Sequence, residues 1–340
     1  MKKPLVSVII VNWNGKQFLK ECLDSLMGGT YKDIEILLVD NASTDSSVVM
    51  VKRHYPSVTI IQNETNAGVA EGYDIGYKYS KGSAILLLNS DTILEDDVIS
   101  GLVNVLYSNN RYGAVQPKMI LQSEKDRIDS VGSFFLPTGN LYHFGREKNP
   151  NDPKYNVQRE IFSTKGACML IRREVLERTG LFDKNFFAYY EDTDLCIRIW
   201  MSGYKIIYTP SVKMYHKGGG GGKQIMRSYI LFHAHKNRIY TYLKNFSGKY
   251  ILKTLPVTLL LYQVLFVGYL LTGKFSYAGA VQRGILWNIL HVRQTLKKRK
   301  HIQSHIRKIP DEAYLPRVTK QVRLSYYYYQ MFGGMDRYRD

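Results

Sequence analysis

The stretch ILLLNSDTILEDD, residues 85–97, begins as a strand and ends as something else. Ile85 to Leu88 are four consecutive apolar residues, the pattern of a strand buried on both faces. Asn89, Ser90 and Asp91 follow with no turn glycine, and Glu95, Asp96 and Asp97 come close behind. A buried strand that passes polar groups forward from its tip presents them at the carboxyl edge of a sheet, where open α/β sheets bind ligands.

The same ending recurs upstream. LVSVIIVNWNG (5–15) and IEILLVDNAS (34–43) both read as apolar strands that stop in polar residues. Between them, KQFLKECLDSLMGG (16–29) carries Phe18, Leu19, Cys22, Leu23 and Leu26 at helical spacing. STDSSVVMVKRHY (43–55) opens with Ser, Thr and Asp as helix-capping candidates, and VTIIQNETNAGVAEGYDIGYKYS (58–80) predicts a short strand followed by a glycine-punctuated helix. Strand and helix alternate, which predicts an α/β fold with a mostly parallel sheet flanked by helices. From about 115 to 165 the pattern loosens into prolines and glycines, read as strands and loops that shape a cleft. Regularity returns with GACMLIRREVLERTG (166–180) as strand into helix and EDTDLCIRIWMSG (191–203) as a helix. YKIIYTPSVKMYHKGGGGG (204–222) reads as a strand, a turn, a second strand and a glycine loop.

The chain has 340 residues and a net charge of +18, distributed unevenly. Residues 1–210 hold 24 Lys and Arg against 25 Asp and Glu; residues 211–340 hold 23 against 4. The C-terminal third is therefore directed at a polyanion, nucleic acid or an anionic membrane face. It contains LPVTLLLYQVLFVGYLLTG (255–273), a charge-free run near the lower limit for crossing a bilayer, and the amphipathic AGAVQRGILWNILHV (278–292). Aromatic residues in SYYYYQMF (325–332) lie near Arg317, Lys320 and Arg323, but no nucleic-acid-binding module appears, so the membrane reading is preferred over nucleic acid. A single span would separate the basic flanks across the bilayer; a monotopic or re-entrant pair keeps both on the cytoplasmic side. Two units are expected, residues 1–222 and a basic helical region at 223–340. Cys22, Cys168 and Cys196 show no framework spacing and predict reduced thiols. MKKPLVSVIIV is read as a first strand rather than a signal peptide, because Asn12, Trp13 and Asn14 cut the apolar run short.

The strand ends around Asn12 and Asn14, Asp40, Asn66, and Asn89 and Asp91 form one candidate edge. None carries GxGxxG or GxxxxGK[ST], so neither a dinucleotide fold nor a P-loop NTPase is supported. Amides and carboxylates there suit a base and a ribose. A carboxylate beside a diphosphate requires a divalent cation between them, Mn²⁺ or Mg²⁺, which gives Asp91 its role.

VSVIIVNWN, ILLVDNASTD, NAGVAEGYDIG, LLLNSDT, GACMLIRREV and FFAYYEDTDLCIRIWMSGYKI occur in an order that resembles the family 2 glycosyltransferases, especially their bacterial rhamnosyltransferase-like branch. The resemblance covers about residues 4–222 and implies a GT-A fold. It implies that Asn12, Asn14 and Asp40 hold the nucleobase and ribose, and that Asn66, Gly68 and Gly72 pack a helix against the donor. Asn89-Ser90-Asp91 would stand for the family's DxD motif, with Asn89 departing from it and Asp91 left as the strong metal ligand. Asp192 would be the catalytic base, Glu191 an acceptor-facing or orienting residue, His216 a further metal ligand and Lys217 a phosphate contact. Asp194 reads as a first-turn acid favoured by the helix dipole. The implied reaction is inverting transfer from a nucleoside-diphosphate sugar, with dTDP-L-rhamnose as the best single expectation and a UDP-hexose or UDP-GlcNAc as the alternative donor. The implied acceptor is a lipid-linked saccharide, at the cytoplasmic face of a bacterial inner membrane. A non-catalytic membrane or nucleic-acid scaffold is the reading from another class.

Overall fold

A computed structural model describes residues 3–218, 226–332 and 337–338. Its sheet is built from β1 (Val6–Asn12), β2 (Ile34–Asp40), β3 (Thr59–Gln62), β4 (Ala84–Asn89), β5 (Thr92–Leu94), β6 (Tyr112–Leu121), β7 (Ile128–Ser130), β10 (Arg159–Glu160), β11 (Cys168–Arg172) and β12 (Lys205–His216); β8 (Ser133–Phe135) and β9 (Leu141–His143) make a separate hairpin. The strand order is β10-β12-β6-β11-β4-β1-β2-β3, with β5 on β12 and β7 on β6. β4, β1, β2 and β3 run parallel, whereas β11 enters antiparallel between β4 and β6. One half of the sheet is thus parallel and the other mixed.

Strand period decides which side chains face which layer. Val6, Val8, Ile10, Leu86 and Leu88 point to the layer of α1 (Lys16–Gly28), α2 (Ser47–His54) and α4 (Val98–Tyr107). Ile9, Leu37, Val39, Ile85 and Leu87 point the other way, to α3 (Gly68–Tyr79), α5 (Arg173–Thr179) and α6 (Glu191–Met201). Uninterrupted apolar runs in β1 and β4 are what this double burial requires.

The segment expected as two strands over 204–216 is one strand, β12. Its register against β6 shifts between Thr209 and Lys213, so Pro210, which cannot donate to the ladder, falls in an irregularity instead of a turn. The glycine loop expected after it falls largely on residues 219–225, outside the described residues.

The C-terminal region is helical: α7 (Arg227–Asn245), α8 (Gly248–Leu271), α9 (Phe275–Leu290), α10 (Val292–His301), then the short α11 (Leu315–Val318) and α12 (Leu324–Phe332). The boundary expected at 222/223 is a change of composition, and packing runs across it. Tyr242, Phe246, Ile302, Ile306, Tyr314 and Tyr326 belong to the same apolar cluster as Ile9 and Leu87. Tyr314 stacks on Trp200 at 5.9 Å, and the Tyr326 hydroxyl donates to the carbonyl of Leu141. Several basic residues counted as free charge are spent on the N-terminal body. Lys244 is buried between Asp183 (2.9 Å) and Asp194 (3.1 Å), and Lys298 reaches Asp183 at 2.6 Å. Asp194 is in the first turn of α6, as expected, and is in addition a fully buried ion-pair centre, held also by Arg198 and Asn245.

Candidate active site

β2 and β3 lie on one side of β1 and β4 on the other, so the strand order reverses between β1 and β4. That is where an open parallel sheet leaves a crevice. Asn12, Asp40 and Asn89 end the three strands around it. The Asn12 side chain is fully buried and donates to Asp40 (2.9 Å), Ser43 (3.0 Å) and Ser47 (2.9 Å). Asp40 also accepts from the Ser43 backbone N–H. Asn14, at φ 50°, accepts from the Thr44 backbone N–H at 2.8 Å. These residues knit the loops after β1 and β2 into one rigid edge. Asn66 accepts from the Gly68 N–H at 2.9 Å and fixes the start of α3.

Gly68 and Gly72 were expected to bring α3 against a donor, but the close approaches they permit are to protein. A Cβ on Gly68, whose φ is +81°, would lie 2.6 Å from Phe187, and one on Gly72 would lie 2.8 Å from Val11.

Asp91 is 8% exposed, and its Oδ1 lies 3.3 Å from His216 Nε2. The other imidazole nitrogen, Nδ1, is 2.9 Å from Asp129 Oδ2, and Asp129 Oδ1 is 2.5 Å from Lys165 Nζ. Asp129 orients His216 so that Nε2 faces Asp91, as carboxylates do behind metal-ligating histidines. Burial works against charge at both sites. Even so, His216 and Lys165 hold Asp129 well below the usual carboxylate range, and Asp129 and Asp91 carry His216 above its ordinary value. One carboxylate oxygen and one imidazole nitrogen are two donors for a divalent cation. Among the described residues no group of three or more His, Cys, Asp or Glu is placed to hold an ion, so a bound ion would take further oxygens from ligand and water. The Asn89 amide oxygen accepts from the Tyr73 hydroxyl at 3.2 Å. Ser90 Oγ lies close to the Gly15 backbone. Lys217 pairs with Glu21 at 3.0 Å, and its backbone N–H donates to the Asp91 carbonyl at 2.9 Å.

A second wall is formed at the start of α6, where Asp192 lies in the first turn. Its Oδ2 accepts from the Gly166 N–H at 3.0 Å and its Oδ1 from the Thr193 N–H at 2.6 Å. Glu191 is 9% exposed and its Oε2 has no hydrogen-bond partner. Burial, and then the neighbouring Asp192, push the Glu191 carboxyl up to about 8. Burial also raises Asp192, against the opposing hydrogen bonds from Thr193 and Gly166. Two carboxyls this close do not both ionise readily. The two backbone donors favour the charged form at Asp192, and Glu191, with none on Oε2, is the better site for the proton.

Lys165-Gly166-Ala167 connects the two walls. Lys165 binds Asp129, Gly166 binds Asp192, and the Ala167 carbonyl accepts from the Asn89 N–H at 3.0 Å. Asp129, Lys165 and Tyr73 were not among the expected site residues. Asp129 and Lys165 are brought in by the pairing of β7 and β11 with β6, and Tyr73 by the packing of α3 beside β4.

The sequence model for glycosyl transferase family 2 matches residues 7–180, just over half of the chain. The chain belongs to glycosyl transferase family 2. It is a glycosyltransferase by that membership. Among curated relatives, an N-acetylglucosaminyl-diphospho-decaprenol L-rhamnosyltransferase of Mycobacterium tuberculosis is 24% identical over 251 residues, 64% of this chain and 78% of that protein. A low-salt glycan biosynthesis hexosyltransferase of Haloferax volcanii is 25% identical over 238 residues, 68% of this chain and 74% of that protein. Among solved structures, GalNAc-T7 crystallised with UDP, GalNAc and Mn²⁺ superposes with TM-score 0.58 at 18% identity, over 73% of this chain and 49% of that one. A mannosyltransferase from Pyrobaculum calidifontis in complex with GDP-Man and Mn²⁺ gives 0.53 at 18% identity, over 89% of this chain and 86% of that one. These likenesses establish the GT-A fold. The family 2 match ends at residue 180; it includes Asp91, Asp129 and Lys165 and stops short of Asp192 and His216.

Proposed function

We propose that the protein is an inverting, divalent-metal-dependent glycosyltransferase that uses a nucleoside-diphosphate sugar, with dTDP-L-rhamnose as donor and a lipid-linked saccharide as acceptor. The observation that supports this best is the bridge at 165–167, which ties the Asp192 carboxylate, through Gly166, to the Lys165 ammonium that holds Asp129 behind His216. The donor follows the rhamnosyltransferase relative, whose name also specifies a diphospho-lipid acceptor.

In this reading Asp192 takes the proton from an acceptor hydroxyl. The hydroxyl oxygen forms a bond to the anomeric carbon while the bond from that carbon to the diphosphate oxygen breaks on the opposite face. The products are the glycosylated acceptor and the nucleoside diphosphate, with the proton on Asp192. Asp91 and His216 would hold the metal, which supplies positive charge against the leaving diphosphate. Glu191, kept neutral, leaves Asp192 as the one carboxylate able to accept the proton. Asn12, Asn14, Asp40 and Asn66 hold the strand-end loops that face the nucleoside, and Lys217 stands at the Asp91 side where a phosphate would lie.

The same reading places the protein on a membrane through α8 and α9. Gly248–Leu271 is long and apolar enough to cross a bilayer. Its inner stripe, Thr254, Thr258 and Tyr262, is buried against the body: Thr258 donates to the Thr138 carbonyl and the Tyr262 hydroxyl contacts the carbonyl of His235. Its outer stripe, Leu252, Leu260, Val264 and Leu271, is exposed, as are Phe275, Leu286 and Ile289 on α9. A helix attached along its side to a polar body favours lying in the interface over spanning.

The deciding experiment measures nucleoside diphosphate release from a panel of dTDP- and UDP-sugars with Mn²⁺, wild type against Asp192→Asn. Release from dTDP-L-rhamnose that disappears in the variant is expected. Equal release by both proteins would remove Asp192 from the mechanism. Preference for a UDP-sugar would replace the donor.

A further inference from the structure

The segment just before Asp192 is strained. Phe187, Tyr189 and Tyr190 have φ of 62°, 69° and 71°, values that side-chain-bearing residues seldom adopt and that persist only where the surroundings enforce them. Its neighbours show what holds it. Asn237 of α7 is fully buried, and the two N–H groups of its amide are shared among three carbonyls of this loop, those of Phe186 (3.0 Å), Ala188 (2.8 Å) and Tyr189 (2.7 Å). His233, one turn earlier, contacts the Phe186 carbonyl at 3.1 Å, and Lys236 donates to the Asn185 carbonyl at 2.6 Å. From the other side the Ala70 N–H donates to the Phe187 carbonyl, and glycine at 68 admits the Phe187 ring. The loop's carbonyls point inward because each left-handed residue turns the peptide, and a buried carbonyl with no donor would be costly.

We propose that Asn237 is a positioning residue for the catalytic base: its amide fixes the backbone of 186–190 and thereby the direction in which Asp192 enters the cleft. This rests on the reading of Asp192 as base. One amide side chain is the only group of the described α7 residues that reaches three of these carbonyls. Its own Oδ1 has no partner. A side chain kept buried with half its capacity unused is placed for its donors.

The test compares full-length Asn237→Ala and Asn288→Ala. Asn288 of α9 also makes two buried amide bonds to its surroundings, to the carbonyls of Lys236 (3.0 Å) and Gly284 (2.9 Å), but touches nothing in the loop. Both variants are expected to melt earlier. With dTDP-L-rhamnose and Mn²⁺, Asn237→Ala is expected to lower kcat at least tenfold with the donor KM within twofold of wild type, whereas Asn288→Ala keeps kcat. If Asn237→Ala retains kcat, or both variants lose kcat in step with their loss of melting temperature, the positioning role is wrong. Should Asn237→Ala fail to fold, Asn237→Asp takes its place. It preserves shape but sets a carboxylate against the three carbonyls, and a wild-type kcat in that variant would equally overturn the proposal. Asp192→Asn is run alongside: wild-type turnover there would defeat the base assignment, and loss there with full activity at Asn237 would defeat this inference alone.

Discussion

The two walls of the cleft are held by different physics. The metal-side wall is a chain of charged hydrogen bonds, Asp91–His216–Asp129–Lys165, each partner standing at or beside a strand end. The base-side wall is a loop with three left-handed residues, kept in place by amide and imidazole groups from α3 and α7. The first wall is specified by side-chain chemistry and should respond to charge. The second is specified by backbone shape and should respond to packing. Changes in charge and in shape can therefore be used to tell the walls apart.

The largest effect is expected at the group that takes the proton. Asp192→Asn keeps the shape and one of the two backbone hydrogen bonds but cannot accept the proton, and turnover should fall by about 10²–10⁴-fold, read as initial rates of nucleoside diphosphate release. Donor affinity, read by titration, should change little. Asp91→Ala belongs to the other wall and should weaken both Mn²⁺ binding and turnover, with excess chelator reproducing the loss in wild type. Unchanged activity in chelator would break the comparison at its root.

A smaller effect separates orientation from ligation. Asp129→Asn leaves both proposed metal ligands in place but removes the charge behind His216. Mn²⁺ affinity measured by calorimetry should fall by roughly 10–100-fold, the usual cost of losing such a partner. Wild-type affinity in this variant would show that His216 needs no anchor.

The smallest effect on rate, and the sharpest on stability, is expected at Glu191. Its folded-state pKa is raised to about 8, above the ordinary carboxyl value. The stability tied to its proton is therefore full below that ordinary value and is lost as pH climbs toward 8. Glu191→Gln removes this dependence. Its melting temperature should gain on the wild type steadily between pH 5 and pH 8, while turnover at neutral pH stays close to wild type because Gln mimics the protonated acid. A constant difference across that range would mean that Glu191 is ionised in the folded protein.

The first wall was partly legible in the sequence, for a reason visible in β1, β2 and β4. Apolar runs ending in Asn12, Asp40 and Asn89 report burial and edge together, because a strand's tip follows directly from its body. Asp91 could be named for the same reason, whereas His216 was named only through the family resemblance. Asp129 could not, because it lies in the loosened stretch and reaches His216 only through the pairing of β6 with β7 and β12. On the second wall EDTDL was legible as an acidic helix start, but its support was not. Asn237 is 45 residues further along, and nothing in a helix of mixed polarity distinguishes an amide that holds a loop from one facing water. The basic C-terminal third misled in part for a related reason. Net charge does not reveal that Lys244 and Lys298 are already matched to Asp183 and Asp194.

α7 has two sides, and each is occupied. One grips the loop before Asp192; the other carries the apolar pair α8 and α9, through Tyr262 against His235 and Asn288 against Lys236. The consequence concerns modularity. An exchange of membrane-binding tails between relatives, made where the charge changes near residue 222, would remove the helix that shapes the catalytic loop. A join placed after Asn245 would keep that helix but still take Phe246, Ile302, Tyr314 and Tyr326 out of the shared core, so the part that can vary is the pair α8 and α9 as an insert, with the residues on both sides of it kept with the catalytic half.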